Sequence, residues 1–164
     1  MPSLPQRSQP AAQHIARFFA LYPNFVYDPQ ASVSAEFRRL VATHRWKRQS
    51  PQRDEAWERF SKAMGQQFST FYGSDINDLR AWQALCIALR VKLVPDTVKE
   101  CKKIIKSTHV NLVDFIDTRT TGRPIKKFRT AQGLRDYTNE TEKYFPLESA
   151  KESGVLKYLL RQIL

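Results

Sequence analysis

Apolar side chains recur every three or four residues along most of this chain, which is the period of an amphipathic α-helix. The clearest pattern predicts a helix from Pro51 to about Tyr72. Ser50 is a suitable N-cap, proline suits the first helical position, and Gly73 suits a left-handed cap at the end. The stripe predicted to be buried on this helix consists of Trp57, Phe60, Met64, Phe68 and Phe71.

Similar patterns predict further helices on both sides of this one. Their expected starts are, in chain order, residue 11, Ser32 or Ser34, Asp75 or Asn77, and Pro95, and a final helix is expected over 154–164. In the helix from Pro95, Cys101 and Ile105 are predicted to face inward, and the lysines at positions 99, 102, 103 and 106 are predicted to face solvent.

Residues 110–146 show a less regular pattern. Asn111 can cap a short helix, Thr130 or Ala131 can begin another, and residues 125–128 can form a brief strand. No strand pattern is strong enough to build a sheet, so we predict an irregular all-α domain of six to eight helices with a single core over residues 11–164. Residues 1–10 carry three prolines and are predicted to form a flexible lead-in.

Composition narrows the class of protein. A hydrophobic fraction of 41% in 164 residues suffices for one packed core, and two cysteines are too few for a disulfide-stapled secreted scaffold. No run approaches the roughly 18 apolar residues that a membrane span needs, and the first residues contain no apolar signal segment. We therefore expect an intracellular protein that does not enter a membrane.

Positive charge changes this picture most, because the net charge of +11 is concentrated in clusters. No acidic residue lies between Glu36 and Asp54, and between Thr118 and Tyr137 the only one is Asp136. Charge segregated in this way attracts polyanions, and the attraction weakens in salt. The cations expected to contact phosphate are Arg45, Lys47, Arg48, Lys102, Lys103, Lys106, Arg123, Lys126, Lys127 and Arg129.

Aromatic residues could add base stacking to such contacts. Those on helical stripes are predicted to belong to the core instead, namely Trp57, Phe60, Phe68, Phe71 and Trp82. Trp46 is different because it lies among cations, between Arg45 and Lys47. It either stacks on a base or anchors the turn before Pro51, and we count it among the candidate nucleic-acid-binding residues.

Motifs for catalysis are missing from the sequence. There is no nucleophile elbow, phosphate loop or dinucleotide fingerprint, and the three histidines and two cysteines lack the spacing of metal ligands. Cys86 and Cys101 lie on apolar helix faces and are predicted to be core residues. The sequence therefore predicts a protein that is not an enzyme and holds no cofactor or metal.

One alternative to this prediction is an acid/base set formed by His109, Asp114 and Asp117. The favoured interpretation is structural. In it Asn111 caps a helix, Asp114 accepts amide donors in the first turn, and His109 ends the preceding helix.

Two functional hypotheses follow. The first is a nuclear module that binds DNA, RNA or chromatin through phosphate contacts without base specificity, with a cytoplasmic location as the alternative. The second is a protein-interaction domain whose helical groove receives an acidic partner segment. Basic clusters that converge on one face would favour the first hypothesis. An exposed apolar groove flanked by cations would favour the second.

Four short segments occur in order along the chain: FVYDP at 25–29, FYGSD at 71–75, HVNLVD at 109–114 and GVLK at 154–157. Together they resemble a conserved domain found in many uncharacterised proteins of filamentous fungi, over almost the whole chain from about Ala11. The resemblance implies a fungal, intracellular, single-domain protein. It implies no activity and no catalytic residue.

Overall fold

The computed structural model describes residues 12–148 and 153–163, and these residues form eight α-helices around one core. The all-α prediction is therefore confirmed, and the lead-in predicted over residues 1–10 lies outside the described residues. The helices are α1 (Gln13–Ala20), α2 (Val33–Thr43), α3 (Pro51–Tyr72), α4 (Leu79–Ala88), α5 (Val98–Lys106), α6 (Leu112–Thr121), α7 (Ala131–Thr141) and α8 (Gly154–Ile163).

The longest helix, α3, is the centre of the fold, and α1, α4 and α6 pack against it. Its predicted bounds are confirmed: the Ser50 hydroxyl accepts a hydrogen bond from the Arg53 amide at 3.3 Å, and the helix ends before Gly73. Gln67 of α3 also holds α1, because its Oε1 accepts hydrogen bonds from the amides of His14 and Ile15 at 2.9 and 3.3 Å. These amides belong to the first turn of α1, where backbone N–H groups have no hydrogen-bond partner within the helix, and Gln67 supplies that partner.

Gly73 ends α3, but the prediction that it forms a left-handed αL cap was wrong, because its φ is +91° and its ψ is 168°, a conformation that residues other than glycine rarely reach. A Cβ at this position would also lie 3.0 Å from the Cβ of Ala81. We expect Gly73→Ala to lower the free energy of unfolding by about 1–3 kcal/mol, measured as a shift in the urea midpoint. Gly122→Ala is the matched control, because φ is +74° there but no atom lies within 4 Å of the added Cβ. Equal losses in the two variants would contradict this account.

Two helices begin later than the sequence predicts. At α4 the cap is Asp78, whose carboxylate accepts a hydrogen bond from the Arg80 amide at 2.9 Å, and neither Asp75 nor Asn77 caps the helix. At α5 the helix begins at Val98, with Thr97 as its cap, and the prediction that Pro95 opens it was wrong. The carbonyl of this proline instead accepts a hydrogen bond from Gln83 Nε2 at 2.9 Å, which ties the loop to α4.

The irregular region after α5 contains no regular strand in the described chain. Residues 125–128, a candidate strand, contribute a single bridge, in which the Phe128 amide donates to the His109 carbonyl at 3.0 Å. The predicted helix starts are confirmed: Asn111 Oδ1 accepts from the Val113 amide at 2.8 Å, and Thr130 Oγ1 accepts from the Gly133 amide at 3.0 Å.

The core contains the predicted cysteines, and both Cys86 and Cys101 are fully buried. Burial raises the pKa of the Cys86 thiol to about 12, with Cys101 beside it contributing. A thiol with so high a pKa is a poor nucleophile at neutral pH. The full burial of both side chains makes them packing residues of the core. Within the described residues, no helix has the length and apolar character needed to cross a bilayer.

Candidate functional site

A groove runs between α2, the start of α3 and the segment that follows α7. It consists of two adjoining depressions of about 410 and 320 Å³ whose walls share Phe37, Arg38 and Arg53. We call it the aromatic groove. Its lining residues are Ser34, Phe37, Arg38, Val41, Ala42, Arg45, Trp46, Gln49, Arg53, Asp54, Trp57, Phe60, Glu142 and Tyr144.

Trp57 is one of two exposed aromatic residues in the groove, with 40% of the residue exposed. The prediction that it belongs to the core was wrong. Phe60, one turn later on α3, is covered by Phe18 of α1 and Phe37 of α2, with ring centroids 5.4 and 4.6 Å away. Trp57 lies nearer the helix start and touches only the margin of this cluster, with its ring edge-on to Phe37 at 5.3 Å. The other aromatic residues predicted to be core are buried.

Trp46 closes the other end of the groove and is half-buried. Its ring stacks on His44 at 4.8 Å and meets Tyr22 edge-on at 5.5 Å. These contacts favour the anchoring role over the stacking role, because the indole already packs against protein. Arg45, which precedes Trp46, and Gln49, three residues after it, have φ values of 53° and 64°. This left-handed conformation is uncommon outside glycine.

Charge is distributed unevenly along the groove. Arg38 forms an ion pair with Glu142 at 3.3 Å and donates to the Thr141 carbonyl at 3.2 Å. Arg45 and Arg53 have no carboxylate within 4.0 Å in the described part of the chain. The groove therefore has a wall with acidic groups and an end, around Arg45, whose only charged groups are cationic.

A second basic cluster comprises Arg123, Lys126, Lys127 and Arg129, all exposed. Arg123 donates to the Gln30 carbonyl at 2.6 Å, which places it beside the N-terminal end of α2. Lys126 lies over the rings of Phe128 and Tyr137, with its Nζ 5.6 and 5.5 Å from the ring centroids.

The lysines of α5 divide between two environments. Lys106 and His109 border one small cavity, and His109 pairs with Phe128, so the end of α5 adjoins the second cluster. Lys102 is half-buried, because its Nζ lies 5.2 Å from the ring centroid of Trp82 and 4.9 Å from that of Tyr158. The prediction that it faces solvent was therefore wrong in part.

The predicted cations share one property that the sequence could not guarantee. None of the ten has a carboxylate within 4.0 Å among residues 12–148 and 153–163, and nine are exposed. They do not form one continuous patch in the contacts described. The first cluster, which consists of Arg45, Lys47 and Arg48, follows the C-terminal end of α2. Arg123 of the second cluster lies beside the N-terminal end of the same helix. The eleven residues of α2 separate these points by about 16 Å.

A buried polar cluster lies between α6, α7 and the segment after α7. Lys143 Nζ is 2.7 Å from Asp114 Oδ1 and 2.9 Å from the Tyr137 hydroxyl, which donates to Asp114 Oδ2 at 2.8 Å. Lys143 Nζ is also 3.7 Å from Asp117 Oδ2. Burial raises the pKa of Asp117 even though the Val33 amide and Lys143 oppose the shift. Hydrogen bonds to Asp114 and Tyr137 raise the pKa of Lys143, although burial alone would lower it.

This cluster corrects two sequence interpretations. Asp114 accepts hydrogen bonds from side chains of other elements, not from amides of its own first turn. His109 does not end a helix, since α5 stops at Lys106. It borders a different cavity from the one lined by Asp114 and Asp117, so the structure does not assemble the three into an acid/base set.

Sequence reasoning missed Trp57 and Tyr144 as surface aromatics of the groove. Tyr144 is 50% exposed, and its hydroxyl donates to Asn139 Oδ1 at 2.8 Å. The available signal for Trp57 was its place in the second turn of a helix, where fewer neighbours cover a side chain. Tyr144 gave no comparable signal, because no helical stripe includes it.

Within the described residues, no group of three histidine, cysteine, aspartate or glutamate side chains is placed to hold a metal ion. Comparison with protein families, curated proteins and solved structures finds no match to this chain. The resemblance to a domain of filamentous fungi therefore remains an expectation from the sequence.

Proposed function

We propose that this protein is a non-enzymatic nuclear module that binds nucleic acid through phosphate contacts without base specificity. The observation that supports the proposal most is the exposure of nine predicted cations without a carboxylate partner within 4.0 Å in the described chain. Cations without a carboxylate partner are available to replace the counterions of a polyanion, and release of those counterions drives association. Nothing in this arrangement distinguishes one base from another.

Within the described residues the two clusters do not converge on one continuous face, so the arrangement that would most favour nucleic acid is not observed, and a ligand that engages both clusters has to be an extended polyanion. Duplex DNA advances about 3.4 Å per base pair, so the roughly 16 Å length of α2 corresponds to about five base pairs. A ligand that engages both clusters therefore has to carry several phosphates. A mononucleotide would reach one cluster only, so we expect affinity to increase with strand length.

Removing three of the four cations of the second cluster should weaken binding and reduce its salt dependence. The test variant is Lys126→Ala/Lys127→Ala/Arg129→Ala. We expect the plot of log affinity against log salt to become less steep by roughly 2–3, because each lost phosphate contact reduces the steepness by about 0.7–0.9. Fluorescence anisotropy with a labelled oligonucleotide over a salt series measures the slope.

The matched control removes three exposed cations elsewhere, in the variant Arg17→Ala/Lys62→Ala/Arg80→Ala. It lowers the net charge equally and should reduce the slope much less. Equal slopes for the two variants would show that net charge, and not the second cluster, determines binding. If the unmodified protein binds neither single strands nor duplexes at low salt, the proposed function fails.

The aromatic groove supports a second candidate function, the binding of an acidic partner segment. An exposed tryptophan in the same depression as Arg53, with Arg45 in the adjoining depression, offers such a segment both apolar contact and charge. Binding of this kind depends more on buried apolar area than on released counterions, so its affinity should persist in high salt. The salt series therefore separates the two candidates.

A further inference from the structure

We propose that the aromatic groove receives an unpaired base, so that the protein prefers single-stranded nucleic acid to a duplex. This inference rests on the proposed function and adds a site and a substrate class to it. The site is centred on Trp57, with Tyr144 on the opposite wall and arginines at one end.

The aromatic surface is the first support. The Trp57 ring is held from one side by edge contact with Phe37 at 5.3 Å and by Phe60 at 5.7 Å, and 40% of the residue remains exposed. An indole that is fixed by protein but open to solvent is the arrangement that single-strand-binding proteins use to stack bases. Tyr144 is 50% exposed and is oriented by its hydrogen bond to Asn139, so it loses little freedom on binding.

The charges are the second support. A nucleotide has a neutral aromatic ring and a separate negative phosphate, and the groove shows the same division. Arg45 and Arg53 are free of carboxylate partners within the described residues and can take the phosphate. Asp54 and Glu142 line the same depression as Trp57, where a carboxylate can accept a hydrogen bond from a base N–H group.

One of these carboxylates counts against an acidic peptide in this position, because Glu142 is already paired with Arg38 but Asp54 has no cation within 4.0 Å among the described residues. The carboxylates of such a peptide would approach Asp54 as it entered the groove, and like charges at close range disfavour binding. A base carries no negative charge, so it avoids this repulsion. The groove chemistry therefore favours a nucleotide over an acidic segment.

The cost of taking a base out of a duplex accounts for the expected preference for single strands. A paired base is stacked on both faces inside a duplex, and it has to leave the helix before it can lie against Trp57. Extrusion from a duplex costs a few kcal/mol, and an unpaired base avoids that cost. The basic clusters would still attract a duplex, but without use of the groove.

The test compares three probes of equal length: a single-stranded oligothymidylate, an abasic strand that keeps the phosphates, and a duplex. We expect Trp57→Ala to weaken binding of the oligothymidylate by roughly 5- to 100-fold, the range for loss of one base–aromatic stack. Binding of the abasic strand and the duplex should change by less than about twofold. Trp57→Phe should retain part of the affinity, and Tyr144→Ala should show the same probe dependence with a smaller loss.

Leu93→Ala is the matched control, since Leu93 is apolar, 87% exposed and outside the groove. It should leave all three affinities unchanged. Because Trp57 is half-exposed, the alanine variant should fold, and Tyr144→Ala provides an independent test at a position with still greater exposure.

Equal weakening for the oligothymidylate and the abasic strand, or no weakening for either, would overturn the inference while leaving the proposed function intact. A Trp57-dependent affinity for an acidic peptide that exceeds the affinity for oligothymidylate would also overturn it, in favour of a protein partner. Failure of all three probes to bind at low salt would instead refute the proposed function itself.

Discussion

Replacing Lys143 with methionine is expected to lower the free energy of unfolding by about 3 kcal/mol. Methionine fills a similar volume without charge, so Asp114 and Asp117 would remain buried without their cation. Breaking a buried ion pair by removal of one partner costs about 3–5 kcal/mol. We expect the lower end because 17% of the Lys143 side chain is exposed. Thermal unfolding should show a drop in Tm of about 10 °C.

The matched control is the double variant Lys143→Met/Asp114→Asn. Asparagine at this position can still accept the hydrogen bond of the Tyr137 hydroxyl, but it carries no charge that needs a cation. The double variant should therefore be more stable than the sum of the two single losses predicts, by about 1 kcal/mol or more. Additive losses would show that the ion pair contributes little to stability.

The loss in the free energy of unfolding caused by Lys143→Met should also depend on pH. Burial raises the pKa of Asp117 in the folded state above that in the unfolded chain. Between these two pKa values the folded state binds more protons than the unfolded state, so lowering the pH stabilises it. We expect this loss of stability to shrink as the pH falls from neutral through the raised pKa of Asp117, because Asp117 then takes up a proton and no longer needs a cation. Urea unfolding at a series of pH values measures the effect.

Replacing Trp82 with alanine is also expected to lower the free energy of unfolding, by about 3–5 kcal/mol. Trp82 is fully buried between α4, α5 and α8, and its Nε1 donates to the Ile76 carbonyl at 2.8 Å. Tyr158 packs edge-on against it at 5.1 Å, and Lys102 lies over its ring. Truncation leaves a cavity and removes the hydrogen-bond donor of a carbonyl, and each effect is destabilising.

Trp57→Ala is the matched control for this variant, because the same residue type is removed from a half-exposed position. Its stability loss should be about 1–2 kcal/mol, since less apolar area is buried there. Chemical denaturation of both variants measures the difference. Similar losses at the two positions would contradict the assignment of Trp57 to the surface of the groove.

Local interactions made part of this fold predictable. The bounds of α3 depend on Ser50, Pro51 and Gly73, which act within a few residues of the helix ends. The starts of α6 and α7 depend in the same way on the side chains of Asn111 and Thr130. The start of α4 was harder to predict, because Asp75, Asn77 and Asp78 are all good caps in a run of four residues and tertiary packing chooses among them.

Contacts between distant residues were not predictable from the pattern. Lys143 and Asp114 are 29 positions apart, and no periodicity connects them. Trp57 shares a helical stripe with buried residues, but whether another helix covers it depends on how α2 packs. The candidate cations were visible in the sequence because charge segregation is a property of the order of residues along the chain. Their freedom from carboxylate partners was visible only after folding.

The position of Lys143 between Glu142 and Tyr144 links the interior of the protein to its surface. The side chain that neutralises Asp114 also fixes the backbone from which one wall of the aromatic groove projects. Local opening of the 142–145 segment would therefore require separation of a buried ion pair. By thermodynamic linkage, a ligand that binds Tyr144 should slow amide hydrogen exchange in this segment. Replacement of Lys143 should accelerate the exchange, because the ion pair that holds the segment is then missing.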